Sequence, residues 1–164
     1  MKTSDPQIIS NAFSSFFIEN PRRIRNAIPD SRENYFNFVP RNERVMTFDP
    51  TSPEEVSMFI EGMKKEGSIM DIPRKFLRMS KSHVSPLISN FFNKCLAGGV
   101  FPQIFKTARI TPVHKKGPLN AISYFRSISI LSNICKLFEN VIYYRISGFF
   151  EDCGLLSDNQ FGYR

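Results

Sequence analysis

The chain has 164 residues, 41% of them hydrophobic, and a formal net charge of +7, a composition typical of a folded basic domain or part of one rather than of a disordered tail. Three cysteines are too few for a disulfide scaffold, no apolar run reaches the roughly 18 residues of a membrane span, and the N-terminus has no signal-peptide pattern. We therefore expect an intracellular chain, of cytoplasm or nucleus, that is neither secreted nor bound to a membrane.

A helix and an irregular connector are predicted for the first fifty residues. Asp5 followed by Pro6 is typical of a helix N-cap and first helical position. Apolar residues then recur at helical spacing: Ile9, Phe13, Phe16 and Phe17. Residues 20–50 hold four prolines and no sustained period, so we expect an irregular connector there.

Two further helices are predicted between residues 51 and 100. Ser52 and Glu55 fit a capping box at the start of the first, and Lys64, Lys65 and Gly67 suit its C-terminal end. The second covers about residues 85–96 and ends at Gly98–Gly99. We expect its apolar stripe to be buried core: Val84, Leu87, Ile88, Phe91, Phe92 and Cys95.

The last third of the chain predicts a β-hairpin and a long helix. Residues 107–113 alternate as a strand, Lys115–Pro118 has turn chemistry, and residues 124–130 supply a second short strand. A helical period then runs from Leu131 to Phe149, and Gly154 ends it. The predicted fold is therefore a helix-rich α+β class with one small hairpin.

The basic residues are concentrated in one interval of the sequence. Between Asp71 and Glu139, 67 residues carry 11 lysines and arginines and no acid. Because no carboxylate within the interval pairs with these cations, we expect an external polyanion, and a nucleic acid or nucleotide suits them best. The alternative is a basic surface that only keeps the protein soluble.

The hairpin carries residues suited to a triphosphate clamp. Lys115 and Lys116 supply mobile point charges, and Arg126 supplies a planar fork that matches two phosphate oxygens. A Walker A pattern is absent, and the spacing of Cys95, Cys135 and Cys153 favours buried thiols over a metal site.

Four blocks in this region resemble reverse transcriptases of non-LTR retrotransposons, of the jockey-like kind. They begin with the Phe101-Pro-x-x-Phe-Lys-x-Ala-Arg-Ile-Thr-Pro-Val-His-Lys-Lys-Gly run and with residues 124–130, where relatives read N-Y-R-P-I-S-L. The helix block at residues 136–145 and the Gln-Phe-Gly-Tyr-Arg ending at Arg164 follow in the same order as in that family. Upstream residues agree more loosely with the segment that precedes the polymerase in those elements.

The resemblance implies an N-terminal extension followed by part of a polymerase fingers subdomain. The implied segments are 1–50, a helix and connector; 51–100, a helical extension; and 101–164, the fingers part. The lysine of the first block (Lys115 or Lys116) and Arg126 are implied to contact the nucleotide triphosphate. Template or nucleic-acid contacts are implied for five residues: Arg109, Gln160, Phe161, Gly162 and Arg164.

The catalytic part of such an enzyme is not found in these 164 residues. The family's aspartates come from a block after Gln-Phe-Gly-[Phe/Tyr]-Arg and from a Y-x-D-D block, and no Y-x-D-D occurs here. We therefore expect no catalytic or metal-binding residues and no cofactor in this fragment, with Mg²⁺ serving the intact parent enzyme. The implied partners are an RNA template or single-stranded DNA, a deoxynucleotide triphosphate, and the palm and thumb of the parent.

Two alternatives to a polymerase fragment remain open. In the first alternative, the chain is a non-catalytic basic module that binds RNA or single-stranded DNA, with Tyr124, Phe125 and Phe161 as stacking groups. In the second, the chain is the product of a decaying element and folds poorly on its own. Three departures from the family pattern, at Phe105, Phe125 and Ser127, are compatible with the second alternative.

Overall fold

The structure, a computed structural model, describes residues 4–30, 43–64, 72–157, 159 and 162. Within these residues the elements in chain order are α1 (Pro6–Ala27), α2 (Pro53–Gly62), α3 (Arg74–Met79), α4 (Lys81–Ala97), β1 (Arg109–His114), β2 (Phe125–Ile130) and α5 (Asn133–Asp152). β1 and β2 form a two-stranded antiparallel sheet. The predicted helix-rich α+β class with a hairpin is confirmed. In the described ranges we find no helix of the length and apolar character that a bilayer crossing requires.

The first helix begins as predicted but is longer than expected. The Asp5 carboxylate accepts hydrogen bonds from the backbone N–H groups of Gln7 at 2.8 Å and Ile8 at 3.3 Å. The helix then continues through Pro21 to Ala27, so the prediction of an irregular connector from residue 20 was wrong for this turn. A proline removes one helical hydrogen bond but has a helical φ, so neighbouring turns carry the helix across it. Residues 43–50 have no regular structure, and residues 31–42 lie outside the described ranges.

The second helix also has its predicted N-cap, but only half of the capping box forms. Ser52 Oγ accepts from the Glu55 N–H at 3.1 Å. The Glu55 carboxylate pairs with Arg145 of α5 instead of returning to the Ser52 backbone, with N–O distances of 2.6 and 2.7 Å. The predicted Ser52 half of the capping box is therefore confirmed and the predicted Glu55 half was wrong, because Arg145 binds the Glu55 carboxylate.

Arginines of α3 satisfy the C-terminal carbonyls of α2. Arg74 donates to the carbonyls of Met63 at 3.1 Å and Lys64 at 2.7 Å, and Arg78 donates to that of Glu61 at 2.6 Å. The helix ends at Gly62, earlier than its predicted end, and Lys65 and Gly67 lie outside the described residues. The C-terminal cations expected from α2 itself are thus supplied by the next helix.

By spatial contacts the chain forms two compact units, residues 1–39 with 110–129 and residues 40–109 with 130–164. The second unit contains all the buried core of the described chain: Val56, Phe59, Ile60, Met63, Leu77, Phe92, Cys95, Phe105, Cys135, Leu137, Phe138 and Val141. Phe92 and Phe138 lie at its centre with ring centroids 4.8 Å apart. The expected division at residues 50 and 100 stays a prediction.

The predicted stripe of α4 is only partly buried. Phe92 and Cys95 are core, and Val84 and Ile88 are half-buried against it. Leu87 is 70% exposed and Phe91 43% exposed, so the prediction that both are core was wrong. The helix packs chiefly through one narrow face on α2, which leaves these two side chains at its margin.

Candidate nucleic-acid interface

The hairpin of the first unit has a register that two contacts define. The Lys115 N–H donates to the Tyr124 carbonyl at 2.9 Å. The His114 and Phe125 rings lie 5.2 Å apart, edge to face. Residue 115 is therefore opposite 124, and 114 is opposite 125. Because opposite residues share a face and successive residues alternate, this register assigns each side chain to one of two faces.

One face of the hairpin packs on α1. The Phe125 ring contacts Phe13 of α1 with centroids 5.0 Å apart and planes at 72°. Pro112 and Ser127, on the same face, line an apolar groove of about 760 Å³ together with Phe13 and Phe17. The phenylalanine at position 125, where related blocks carry tyrosine, therefore serves as the contact between the hairpin and α1.

The opposite face carries the predicted triphosphate ligands. Alternation places Lys115, Tyr124 and Arg126 there, and all three side chains are exposed. Lys116 follows Lys115 in the turn and is exposed too. Lys115 and Arg126 of the predicted clamp therefore share one face of the hairpin, and Lys116 lies in the turn at its end. Arg109 is exposed at the first position of β1.

The turn that holds the lysines is tightly constructed. Gly117 has φ +89°, and a Cβ at this position would lie 2.5 Å from the Tyr124 ring. His114 Nε2 lies 3.0 Å from the Gly117 carbonyl oxygen and closes the turn with a hydrogen bond. Because the glycine admits the tyrosine ring against its backbone, the tip that presents Lys115 and Lys116 has a defined shape.

Among the described residues, the cations of this face have no ion-pair partner. Lys115, Lys116 and Arg126 make no ion pair or side-chain hydrogen bond with any residue that the structure describes. Other cations of the acid-free interval differ, since Lys81 pairs with Glu61 at 2.7 Å and Arg78 caps α2. The expected contact with an external polyanion therefore applies to the cations of the hairpin and not to Arg78 and Lys81.

Of the remaining predicted site residues, only Gly162 falls within the described part of the chain. Gln160, Phe161 and Arg164 lie outside the described residues. Gly162 is described and exposed in a bend. Their expected contacts with template stay a prediction.

Residues of α1 that border the hairpin were missed by the sequence reasoning. Phe16 and Asn20 line a pocket of about 320 Å³ with Phe125, Arg126 and neighbouring residues. The helical period assigns Phe16 to a core stripe, yet α1 contains no buried residue. The available signal was the polar Asn20 one turn beyond Phe16, on the same side of the helix.

The described histidines, cysteines and acids were compared with the requirements of a metal site. Within the described ranges we find no group of three or more histidines, cysteines, aspartates or glutamates close enough to hold a metal ion. The described residues therefore do not fit the Mg²⁺ that the resemblance implies for a parent enzyme. Cys95 and Cys135 are buried, and burial raises the pKa of the Cys95 thiol.

Comparison with known proteins identifies two relatives, although no protein-family model matches the sequence. The chain is 26% identical over 151 residues to a probable RNA-directed DNA polymerase from transposon BS of Drosophila melanogaster, covering 82% of this chain and 17% of that protein. The chain is similar to transposon RNA-directed DNA polymerases. A second such protein of the same fly, from transposon X-element, is 36% identical over 78 residues, 47% of this chain and 9% of the relative.

These matches confirm the resemblance found in the sequence blocks. The chain spans less than a fifth of the length of either polymerase relative. What the whole relatives do is therefore a matter of proposal for this chain.

Proposed function

We propose that residues 1–164 are the nucleotide- and template-holding part of a transposon RNA-directed DNA polymerase. In this proposal Lys115, Lys116 and Arg126 contact the phosphates of an incoming deoxynucleotide, and Arg109 contacts the nucleic acid. The observation that carries it is the exposed face of the hairpin, where these cations stand without internal partners in the described structure. The similarity to two transposon polymerases supports the same interpretation.

The chemistry of the cations supports phosphate as the ligand. Arg126 offers a planar fork for two phosphate oxygens, whereas Lys115 and Lys116 offer mobile ammonium groups from the turn. The exposed lysine side chains stay hydrated and mobile until a polyanion binds. The turn therefore binds phosphate by charge attraction and not through a rigid, preformed site. Tyr124, which shares the face, adds a partly exposed aromatic side chain beside the charges.

The same chain is proposed to bind but not to catalyse. Phosphoryl transfer by polymerases needs carboxylates that hold metal ions at the reacting oxygens. Residues 72–138 have no acid, and the sequence given has no Y-x-D-D. We therefore expect purified 1–164 to incorporate no deoxynucleotide on a primed RNA template, even with Mg²⁺. Incorporation that Arg126→Ala abolishes would contradict this.

The phosphate contact is tested by affinity for a single-stranded RNA as salt is raised. We expect a linear fall of log affinity with log salt, and Arg126→Ala should lower affinity at least about tenfold, because charge-assisted hydrogen bonds contribute about 1.5–3 kcal/mol. The same substitution should reduce the slope by about 0.7, as one lost phosphate contact requires.

A matched control removes one cation elsewhere. Lys94, exposed near the end of α4 in the second unit, carries the same charge. Lys94→Ala should change affinity by less than about twofold. Equal losses for Arg126→Ala and Lys94→Ala would mean that net charge alone attracts RNA, and the proposed site would be wrong.

The second candidate is a non-catalytic module that binds RNA or single-stranded DNA. The exposed Tyr124, Val113 and Ile128 beside the cations favour it, because single-strand binders combine charge with aromatic and apolar contacts. Competition separates the two functions. Free deoxynucleoside triphosphate should displace bound RNA if the hairpin is a triphosphate site, whereas a pure single-strand binder should be displaced only by another oligonucleotide.

A further inference from the structure

A second feature of the first unit lies where α1 passes the edge strand β2. The pocket of about 320 Å³ is walled by rings of Phe16 and Phe17 from α1 and Phe125 from β2. Its polar residues are Asn20, Arg126, and the hydroxyl-bearing Ser123 and Ser127. Aromatic walls with a few polar groups at their margin are typical of a pocket for a flat, polar ring.

Asn20 is held in place by the helix itself. Its Oδ1 accepts a hydrogen bond from Arg23 Nη2 at 3.0 Å. That bond occupies the amide oxygen and leaves the Nδ2 hydrogens to donate elsewhere. The Asn20 side chain is half-buried, so it loses little conformational freedom when it binds a ligand.

The ring of Phe16 is similarly positioned. It meets Phe17 edge to face with centroids 5.8 Å apart, and it is half-buried, as is Phe125. Phe125 is fixed in turn by Phe13 at 5.0 Å and by His114 at 5.2 Å. The walls therefore come from rings that the fold already supports, and a ligand gains their contact with little ordering cost.

We propose that this pocket receives one nucleobase of a single-stranded nucleic acid, with Phe16 and Phe125 contacting its faces and Asn20 donating to an acceptor on its edge. The proposal rests on the proposed function and deepens it. Arg126 is among the residues that line the pocket and also belongs to the cationic face of the hairpin. In this proposal the base enters the pocket and the adjacent phosphate is bound by the guanidinium. Residues of α1 thereby become base-binding residues beside the phosphate-binding hairpin.

The size of the pocket agrees with a single base. A volume of about 320 Å³ is at the small end of ligand pockets and suits a single flat ring system with its sugar. Glu19 lines the adjoining depression together with Phe16, Asn20 and Arg23. Glu19 and Arg23 offset each other's charge in this depression, so Arg126 in the pocket lining is the cation that attracts the phosphate of the strand.

The test compares two probes of equal charge, a short oligonucleotide and an abasic oligomer with the same number of phosphates. The full chain should bind the oligonucleotide at least about fivefold more tightly, since stacking of one base on an aromatic group contributes a factor of this order or more. Asn20→Ala and Phe16→Leu should each reduce this ratio towards one while leaving affinity for the abasic oligomer unchanged.

Asn11→Ala is the matched control for Asn20→Ala. Asn11 lies on the same helix and accepts a bond from Gln7, and it is exposed outside the pocket. Its substitution should leave the ratio at its original value. Circular dichroism of each variant verifies that the total helical content is unchanged.

A fluorescence measurement gives a readout that does not depend on affinity. The chain has no tryptophan, so Phe16→Trp places a single reporter in the pocket wall. The oligonucleotide should quench it and the abasic oligomer should not. Phe76→Trp, at an exposed position on α3 of the other unit, should respond to neither probe.

The outcomes separate this inference from the proposed function. Equal binding of both probes, or a base preference that persists in Asn20→Ala and Phe16→Leu, overturns the base pocket and leaves the phosphate site standing. Failure of both probes to bind overturns both. A base preference lost in the two pocket variants and kept in the Asn11→Ala control supports both.

Discussion

At the scale of single residues, Gly117 determines the shape of the hairpin tip. Its φ is +89°, and a Cβ atom added to it would lie 2.5 Å from the Tyr124 ring, which leaves no room for a side chain. The pairing of Lys115 with Tyr124 at 2.9 Å depends on the same turn. The two lysines that we propose for phosphate binding therefore depend on a residue that carries no charge.

Gly117→Ala should loosen the tip. The left-handed backbone costs an alanine about 1–2 kcal/mol, and displacement of the tyrosine ring adds a similar amount. We expect the Lys115 amide, which bonds to the Tyr124 carbonyl, to exchange its hydrogen at least about fivefold faster. The double variant with Tyr124→Ala should recover part of the change. Unchanged exchange in the single variant would show that the turn does not depend on this contact.

A second residue-scale feature is the bidentate ion pair between Arg145 and Glu55. Both side chains are about four-fifths covered, with exposed fractions of 18% and 21%. The bond to Glu55 raises the pKa of Arg145, so the stabilisation is present below that pKa and does not decline as the pH rises through neutrality. Arg145→Ala should lower the free energy of unfolding by about 2–3 kcal/mol, because it leaves a covered carboxylate unpaired.

Arg25→Ala is the control for that substitution. Arg25 pairs with Asp30 at 2.7 Å, but with exposed fractions of 66% and 85%. Its loss should change stability by less than about 1 kcal/mol. Arg145→Lys should fall between the two, since lysine retains the charge without the fork. Equal effects of Arg145→Ala and Arg25→Ala in denaturant unfolding would contradict the interpretation.

At the scale of elements, local sequence signals predicted the starts of α1 and α2 and the end of α4, but α3 was not predicted and α4 begins at Lys81 instead of about residue 85. Asp5, Ser52 and Gly98 act through neighbours within a few residues, and the structure has α1, α2 and the end of α4 as they indicate. The end of α2 was missed because Arg74 and Arg78, more than ten positions away, cap it. Long-range partners of this kind have no local signature.

The continuation of α1 through Pro21 is the main element-scale correction, and Pro21→Ala tests it. Restoring the missing N–H should stabilise the helix by up to about 3 kcal/mol, the usual cost of an interior proline. We expect slower amide exchange in residues 22–27. Pro6→Ala, at the first helical turn where no bond is lost, should leave these amides unchanged. Unaltered exchange in Pro21→Ala would mean that the turn after Pro21 is not helical.

At the scale of the whole molecule, the charge of the acid-free interval divides between two tasks. Arg78 binds the Glu61 carbonyl of α2 and Lys81 binds the Glu61 carboxylate, which composition alone does not reveal. Lys115, Lys116 and Arg126 remain exposed on the hairpin. Turn chemistry and strand alternation are local, so the sequence alone could indicate these three residues as candidates. The pocket of Phe16 and Asn20 was missed because it requires α1 and β2, about a hundred residues apart, to meet.

The most direct test of the central claim is an NMR titration of the isotope-labelled chain with a deoxynucleoside triphosphate. We predict that the largest amide shifts occur at Lys115, Lys116 and Arg126, while the exposed Lys75 and Lys94 of the other unit change little. A phosphate site on the hairpin requires this localisation. Shifts of equal size at all exposed cations, or shifts centred on Lys75 and Lys94, would contradict the account.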